Sequence, residues 1–255
     1  MNHCIHLPSI GFPALIREYL FPSGCAICGR MLLDTEEAWY GLCRDCTPGL
    51  AIDRETRCSL CGRPLISEQD RCLPCRERAA VNPEGSAYHF DRVIALFPYT
   101  GDYRKLLGAY KFGTYRAIGN FFREKLIEGL SLFPAHLLTN PVWTPAPPRP
   151  GKIKKTGWDQ IEYLARLLDS PCRGARNTHP VYRCLKRLPS KSQKELNREN
   201  RKTNLLGRIR CTKKVPPEVI LFDDVFTTGS TMDACAAALK TGGAEKVYGL
   251  CLFYD

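Results

Sequence analysis

Long apolar runs are missing from this sequence, where nothing approaches the roughly 18 consecutive apolar residues that a membrane helix needs. Met1 to Gly24 also lacks an N-terminal basic cluster, and Pro8, Pro13 and Pro22 interrupt its apolar residues, which argues against a secretory signal. Aromatic residues are absent from Pro189 to Arg210, a stretch otherwise rich in lysine and arginine, and this argues against base stacking there. No group of residues marks itself as a general acid or base. These absences predict a cytoplasmic protein with no membrane span. With 255 residues and 44% apolar content, the chain can fill a real core, so disorder is not the expectation.

What is abundant is positive charge and cysteine. The formal charge is +11, and eight thiolates holding two Zn²⁺ would lower it only to about +7. Anionic partners, such as nucleotides, pyrophosphate or nucleic acid, are favoured, although a solvated basic surface has the same composition. Of the 14 cysteines, eight fall as four Cys-x-x-Cys pairs: Cys25/Cys28, Cys43/Cys46, Cys58/Cys61 and Cys72/Cys75. Between the first two pairs lie 14 residues, and between the last two lie 10. Each pair forms a knuckle whose two thiolates span one edge of a tetrahedron, and two knuckles close a Cys₄ site. Two structural Zn²⁺ ions are predicted, in a reducing compartment; sequential and interleaved pairings both satisfy the spacing. A redox pair occurs once, opening a helix after a strand, and four pairs in tandem do not fit that pattern. Gly29 and Gly62 each follow the second cysteine of a knuckle, where backbone freedom eases the turn. Leu32, Leu33, Trp39 and Leu42 hardly make a core, so metal is expected to supply the folding energy of this part.

The predicted organisation is an apolar segment (1–24), a double zinc ribbon (25–78), a polar linker to Ser86 and an α/β domain (87–255). Phe12 to Leu20 fits a short helix started by Pro13. His3, Cys4 and His6 are assigned no role. Arg92 to Phe97 predicts a strand. Tyr103, Leu106, Leu107 and Tyr110 recur at helical spacing, and a second helix is predicted from Tyr115 to Leu130. Leu132 to Asn140 is expected to be loop. A short strand from Val142 then runs into the proline turn Pro145-Ala146-Pro147-Pro148 and a basic loop, Lys152 to Gln160, before a helix from Ile161 to Leu168. Lys154, Lys155, Thr156 and Gly157 of that loop are candidate pyrophosphate ligands, or simply a solvated turn. Val181 to Leu188 has strand character. Pro189 to Arg210, with Lys191, Lys194, Arg198, Arg201, Lys202, Arg208 and Arg210, is either a solvated surface or a lid over a polyphosphate.

The chain is organised around Val219-Ile220-Leu221-Phe222-Asp223-Asp224-Val225-Phe226-Thr227-Thr228-Gly229-Ser230-Thr231. An apolar strand ends in two carboxylates, a hydroxyl-rich turn follows, and Met232 to Lys240 continues as a helix. Ligands of open α/β sheets collect at the carboxyl ends of strands. A helix N-terminus there offers amides and a favourable dipole to an anion. Asp223 and Asp224 suit a pair of hydroxyls, because ionised carboxylates only accept hydrogen bonds. An ordinary Asp-Asp turn with a Ser or Thr cap explains one hydroxyl and one carboxylate, but not four hydroxyls, a glycine and two carboxylates in this order. Phosphate on one side and a diol on the other describe a ribose 5-phosphate. After the helix, Gly242-Gly243 predicts a cap and Lys246 to Phe253 a final strand.

The stretch resembles the phosphoribosyl-diphosphate (PRPP) signature of type I phosphoribosyltransferases. By position, the resemblance implies that Asp223 and Asp224 hold the ribose 2- and 3-hydroxyls while Thr227, Thr228, Gly229, Ser230 and Thr231 cradle the 5-phosphate. Mg²⁺ is implied as the companion of PRPP. Over nearly the whole chain, from about Leu20 to Asp255, the sequence is similar to the ComF family: competence-associated, phosphoribosyltransferase-like proteins behind a double zinc ribbon. Pro145-Ala146-Pro147 matches that family's Pro-x-Pro turn. Thr156-Gly157-Trp158-Asp159-Gln160 matches its Arg-Gly-Phe-Asn-Gln box, with Thr156 for arginine and Asp159 for asparagine. Gln193, Leu196, Arg201 and Asn204, with Arg187 upstream, match its basic segment. The resemblance implies a mostly parallel sheet with helices on both faces, and PRPP or ribose-phosphate binding linked to DNA uptake. It leaves open an active nucleobase phosphoribosyltransferase, in which a base nitrogen attacks C1 as pyrophosphate departs. It also leaves open a non-catalytic adaptor that meets single-stranded DNA or helicase and recombination partners.

Overall fold

Strands of both the predicted lengths and shorter ones form in the computed structural model, which describes residues 24–32, 34–52, 56–65, 69–81, 87–112, 115–139, 141–170, 179–189 and 207–255. The strands are β1 (Arg92–Pro98), β2 (Trp143–Pro145), β3 (Leu185–Arg187), β4 (Ile209–Cys211), β5 (Glu218–Phe226) and β6 (Lys246–Tyr254). The helices are α1 (Thr35–Tyr40), α2 (Leu73–Ala80), α3 (Gly101–Lys111), α4 (Ile118–Gly129), α5 (Lys152–Thr156), α6 (Gln160–Asp169) and α7 (Ser230–Thr241).

β1, β6, β5 and β2 lie in that order in one sheet, and every pairing is parallel. The signature strand β5 is internal, with Phe222 opposite Leu250 on one side and Pro145 on the other. This is why Val219 to Phe222 reads as an unbroken apolar run: both faces of the strand are covered. Ile220, Phe222, Leu250, Ile94 and Leu96 pack with Leu106, Leu107 and Tyr110 of α3, Phe122 and Leu126 of α4, and Leu164 of α6. Val219, Leu221, Val247, Cys251 and Val93 pack on the other side with Met232, Cys235 and Leu239 of α7. The alternation follows from the two-residue period of a strand. Helices therefore cover both faces of a mostly parallel sheet.

Several elements differ from the sequence expectation. α4 begins at Ile118, not Tyr115, because Arg116 and Ala117 form a turn; it passes into a short 3₁₀ turn at Leu130–Leu132. The expected loop after Leu132 contains another 3₁₀ turn, Ala135–Leu138, that buries Leu137. Val181 to Leu188 divides in two. Val181 makes a single parallel bridge with Trp143, the chain bends where the Cys184 amide bonds the Tyr182 carbonyl at 3.0 Å, and only Leu185–Arg187 is strand, antiparallel to β4. The basic loop is one helical turn, α5, bracketed by Gly151 and Gly157, both at φ 78°. The N-terminal helix at Phe12 to Leu20, Leu33, and the matched positions Gln193, Leu196, Arg201 and Asn204, like Lys191, Lys194, Arg198 and Lys202, lie outside the described residues.

The ribbons do not stand alone. Leu32, Leu42, Leu50 and Ile52 join the same core cluster as Phe121 and Phe122, so the sparse apolar set of the first ribbon is completed by the sheet's helices. Trp39 remains 43% exposed and contributes its carbonyl, which accepts from Asn120 at 2.9 Å. The second ribbon pairs directly with the sheet edge, since the Val93 amide donates to the Leu60 carbonyl at 2.8 Å. Gly62 is required at this contact: its φ is +67°, and a Cβ there would sit 2.3 Å from the Val93 carbonyl oxygen.

Candidate functional site

The hydroxyl-rich turn occupies the carboxyl end of β5, between that strand and α7. Gly229 at φ 75° turns the chain into the helix, and the Asp233 amide closes the first turn on the Gly229 carbonyl at 2.8 Å. Thr227 and Thr228 are exposed; Ser230 and Thr231 are half-buried. Thr228 Oγ1 and Ser230 Oγ share a hydrogen bond of 2.8 Å, which orders two of the four hydroxyls. The first amides of α7 have no intrahelical partners, as at any helix start. The turn thus combines hydroxyls, amides and a positive dipole end.

Asp223 and Asp224 fall inside β5, so consecutive side chains diverge instead of standing side by side. Asp224 is buried and held by two contacts: Lys111 Nζ at 3.0 Å and Gln160 Nε2 at 2.6 Å. Asp223 is half-buried and accepts from the Asp224 amide at 2.8 Å. Burial, and next the charge of Asp224, push its carboxyl up to about 8, against smaller opposing effects of that amide and of Lys111.

α5 brings one cation to Gln160, the residue whose amide holds Asp224. Of the basic turn, Lys152 is the residue that faces inward. Its ammonium donates to Asp159 Oδ2 at 2.6 Å and to the side-chain oxygen of Gln160, whose amide in turn holds Asp224. Lys154, Lys155, Thr156 and Gly157 are all exposed, and Thr156 Oγ1 is engaged with the carbonyls of Lys152 and Trp158, both at 2.9 Å. Asp159 is explained by its place at the start of α6. Its Oδ1 accepts from the Ile161 and Glu162 amides at 3.0 Å, the N-cap role that asparagine fills equally well, and Lys152 neutralises its charge.

A second group of cations comes from segments far apart in sequence. Arg187, at the end of β3, is held below the ordinary arginine range first by burial and next by the neighbouring charge of Arg149, with Arg208 adding to it; Cys235 and Asp223 act in the opposite sense. Among the described residues, none of Arg149, Arg187 and Arg208 has a carboxylate in ion-pair range. Arg187 and Arg208 are half-buried and Arg149 is exposed; the mutually repelling guanidiniums gather around Arg187, which also feels the charge of Asp223, and such a cluster attracts anions. Lys111 and Arg149 carry no mark in the sequence reading, whereas Lys152 belongs to the basic loop, Arg187 stands upstream of the matched segment and Arg208 lies within the candidate lid. The signal present was Gln160, inside the matched box, and Arg187, just before the basic segment.

The cysteines assemble as sequential clusters: Cys25, Cys28, Cys43 and Cys46, then Cys58, Cys61, Cys72 and Cys75, with all sulfurs of a cluster within 4.8 Å of one another. Tetrahedral Zn–S bonds of ~2.3 Å place sulfurs ~3.8 Å apart. The Cys28–Cys43 and Cys61–Cys72 separations, 3.7 and 3.6 Å, fit that geometry. Gly29 at φ 76° and Gly62 at φ 67° turn the two leading knuckles, as expected. Hydrogen bonds from Cys61 and Cys75 hold Cys58 far below an ordinary thiol, while those with Cys58 and Cys61 push Cys75 far above it; a dication compensates the negative charge of crowded thiolates. Both clusters fit structural Zn²⁺ with every position filled by sulfur. Between the knuckles of the first cluster, buried Glu37 binds Arg30 at 2.5 Å and the Arg44 amide at 2.9 Å.

Fold and site define a double zinc ribbon joined to a parallel α/β sheet with a hydroxyl-rich turn at the carboxyl end of an internal strand. Residues 16–77 match the family described as "Double zinc ribbon domain". The chain is similar to the competence protein ComFC of Streptococcus pneumoniae, 22% identical over 240 residues, which cover 88% of this chain and 96% of that protein. It is also similar to the DNA utilization protein YhgH of Salmonella typhimurium, 26% identical over 228 residues covering 83% and 96%. The YhgH protein of Escherichia coli K12 is 25% identical over 241 residues covering 91% and 96%. These similarities, over most of the chain, support the resemblance to the ComF family. Among the described residues, no helix is long and apolar enough to cross a membrane.

Proposed function

We infer that this protein binds PRPP, or a related ribose phosphate with Mg²⁺, and does so in the service of DNA uptake or utilisation. The observation that carries the ligand is the turn Thr227–Thr231, at the carboxyl end of an internal parallel strand that bears Asp223 and Asp224. In this proposal the turn takes the 5-phosphate and the two carboxylates the ribose hydroxyls. The diphosphate lies toward Arg149, Arg187 and Arg208, with Lys111 and Lys152 behind Asp224. Lys154 and Lys155, exposed on α5, serve as outer attraction and not as direct ligands. Mg²⁺ enters with the diphosphate and shields its charge. Such a site works by positioning and electrostatics, and no side chain is needed as general acid or base. The DNA side of the proposal comes from the ComFC and YhgH relatives and agrees with the chain's formal charge of +11.

Calorimetric titration with Mg²⁺·PRPP tests it, with wild type beside the Asp223→Asn/Asp224→Asn double variant. Binding that the double variant loses supports the site; no heat at millimolar ligand overturns it. Arg187→Ala is expected to weaken binding at least tenfold, as loss of a charge-assisted phosphate contact does, and Lys154→Ala/Lys155→Ala much less. A panel of nucleobases then separates turnover from binding. A second reading, a non-catalytic adaptor that handles DNA, is favoured by the relatives' names. It predicts salt-dependent binding of single-stranded DNA that Mg²⁺·PRPP leaves unchanged.

A further inference from the structure

The second ribbon does more than cap the edge of the sheet. Arg63, two residues after Cys61, donates to the carbonyl of Thr227 at 2.5 Å and reaches the Asp255 carbonyl at 3.4 Å. Arg57, just before Cys58, ties the knuckle to the strand through the carbonyls of Gly62 and Ala95, at 2.9 and 2.7 Å. On the far side of the cluster, Arg78 of α2 pairs with Asp233 at 2.8 Å and lies over the Tyr88 ring at 4.1 Å. Tyr88 OH donates to the Thr228 carbonyl at 3.4 Å. Its ring also stands against Gly229, where an added Cβ would meet Tyr88 Cε1 at 3.1 Å and Phe226 Cζ at 2.9 Å. The Thr227 carbonyl and the first turn of α7 are therefore held by Arg63 and Arg78, which lie close to Cys61 and Cys75, while the Thr228 carbonyl is held by Tyr88, whose ring Arg78 covers.

The hydrogen bonds and ion pairs of the first ribbon's described residues lead elsewhere. Its arginines are spent internally: Arg30 on Glu37, and Arg44 on Asp34. Its hydrogen bonds with the sheet domain go to α4, through Tyr40 with Glu124 and Trp39 with Asn120, and to α3, where Tyr103 OH donates to the carbonyls of Gly49 and Ala51.

We propose that Arg63 is a positioning residue for the hydroxyl-rich turn, and that the second zinc site, not the first, sets the shape of that turn. Carbonyls held outward by Arg63 and Tyr88 leave the intervening amides and hydroxyls facing the ligand side. Loss of the tether lets the Thr227–Thr228 peptide units reorient, which weakens the grip on phosphate. The consequence for phosphate rests on the PRPP proposal; the consequence for the turn itself does not.

The test uses the full chain, zinc-loaded, with Arg63→Ala, Arg63→Lys and, as a matched control in the first ribbon, Arg44→Ala. Amide hydrogen exchange across Phe226–Met232 is read without ligand, and Mg²⁺·PRPP affinity is titrated in parallel. Arg63→Ala is expected to speed exchange in the turn about five- to tenfold and to weaken PRPP by a similar factor, the size of one charge-assisted hydrogen bond. Arg63→Lys should be intermediate and Arg44→Ala unchanged in both. Cys61→Ser and Cys28→Ser, each checked for zinc content, extend the comparison to the metals: only the first should loosen the turn. Exchange in Arg63→Ala equal to wild type, or an equal effect from Arg44→Ala, overturns the proposal. If wild type binds no PRPP, the ligand reading fails while the exchange arm still decides the role of Arg63. If the cysteine variants fail to fold, the Arg63 series decides alone.

Discussion

Asp223→Asn isolates the electrostatic cost of the carboxylate pair. In the folded chain, burial and then Asp224 push the Asp223 carboxyl from 3.8 up to about 8. The folded state holds this proton more tightly than the unfolded state, so stability is highest below about pH 4 and declines as pH rises toward about 8. Carried at full weight, that difference amounts to about 6 kcal/mol. Asp223 is only half-buried at the open end of the sheet, and water screens the charge, so about 1–3 kcal/mol is the effect to look for. Asparagine keeps the shape and removes the titration. Urea unfolding of both proteins, in zinc-saturated and Mg²⁺-free buffer at about pH 5.5, 7 and 8.5, should show the variant to be the more stable, by a margin that widens with pH. Zinc ligation loosens toward acid in both proteins alike, so their difference reports Asp223 alone. A margin that stays constant with pH, or narrows as pH rises, would refute the reasoning.

Three further outcomes follow from the same contacts. Gly229→Ala places an L-residue at φ +75° and a methyl against Phe226, and the left-handed conformation alone costs about 1–2 kcal/mol. The melting temperature should fall by about 3–8 °C, and an unchanged value would remove the constraint argued for this turn. Chelation should release about two zinc ions per chain and destabilise the sheet as well as the ribbons, because Leu32, Leu42, Leu50 and Ile52 share the sheet's core. Metal analysis with circular dichroism checks this, and a protein with far less zinc that stays folded after chelation contradicts it. A double-mutant cycle on Lys111→Met and Asp224→Asn should yield a coupling of about 1–2 kcal/mol for this partly buried pair, and a coupling near zero would mean that Gln160 alone holds Asp224.

Local chemistry could be read directly from the chain. The four knuckles, the strand–turn–helix of Val219 to Lys240 and the glycines at positive φ all depend on residues only a few positions apart, which covalent geometry keeps together. Short-range competition limited the rest. α5 forms where a loop was expected because Gly151 and Gly157 supply left-handed brackets on either side of Lys152–Thr156. Asp159 looked like an unwelcome negative charge because neither its cap bonds nor the ammonium of Lys152 is visible in a linear sequence.

From the chain alone one could therefore read which cysteines gather into clusters that fit Zn²⁺, where the hydroxyl-rich turn lies, and that the strand leading into it is buried on both faces. It took the three-dimensional packing to show that the knuckles close sequentially, that Lys152 and not Lys154 or Lys155 turns inward, to Asp159 and Gln160, and that Arg149 and Arg208 gather around Arg187. It alone brought Arg63 to Thr227, a contact across 164 positions of sequence. Such juxtapositions are set by strand order and by the helices that cover each face of the sheet. The free energy that selects them is spread over the whole buried core and leaves no mark on the short stretches of chain it brings together.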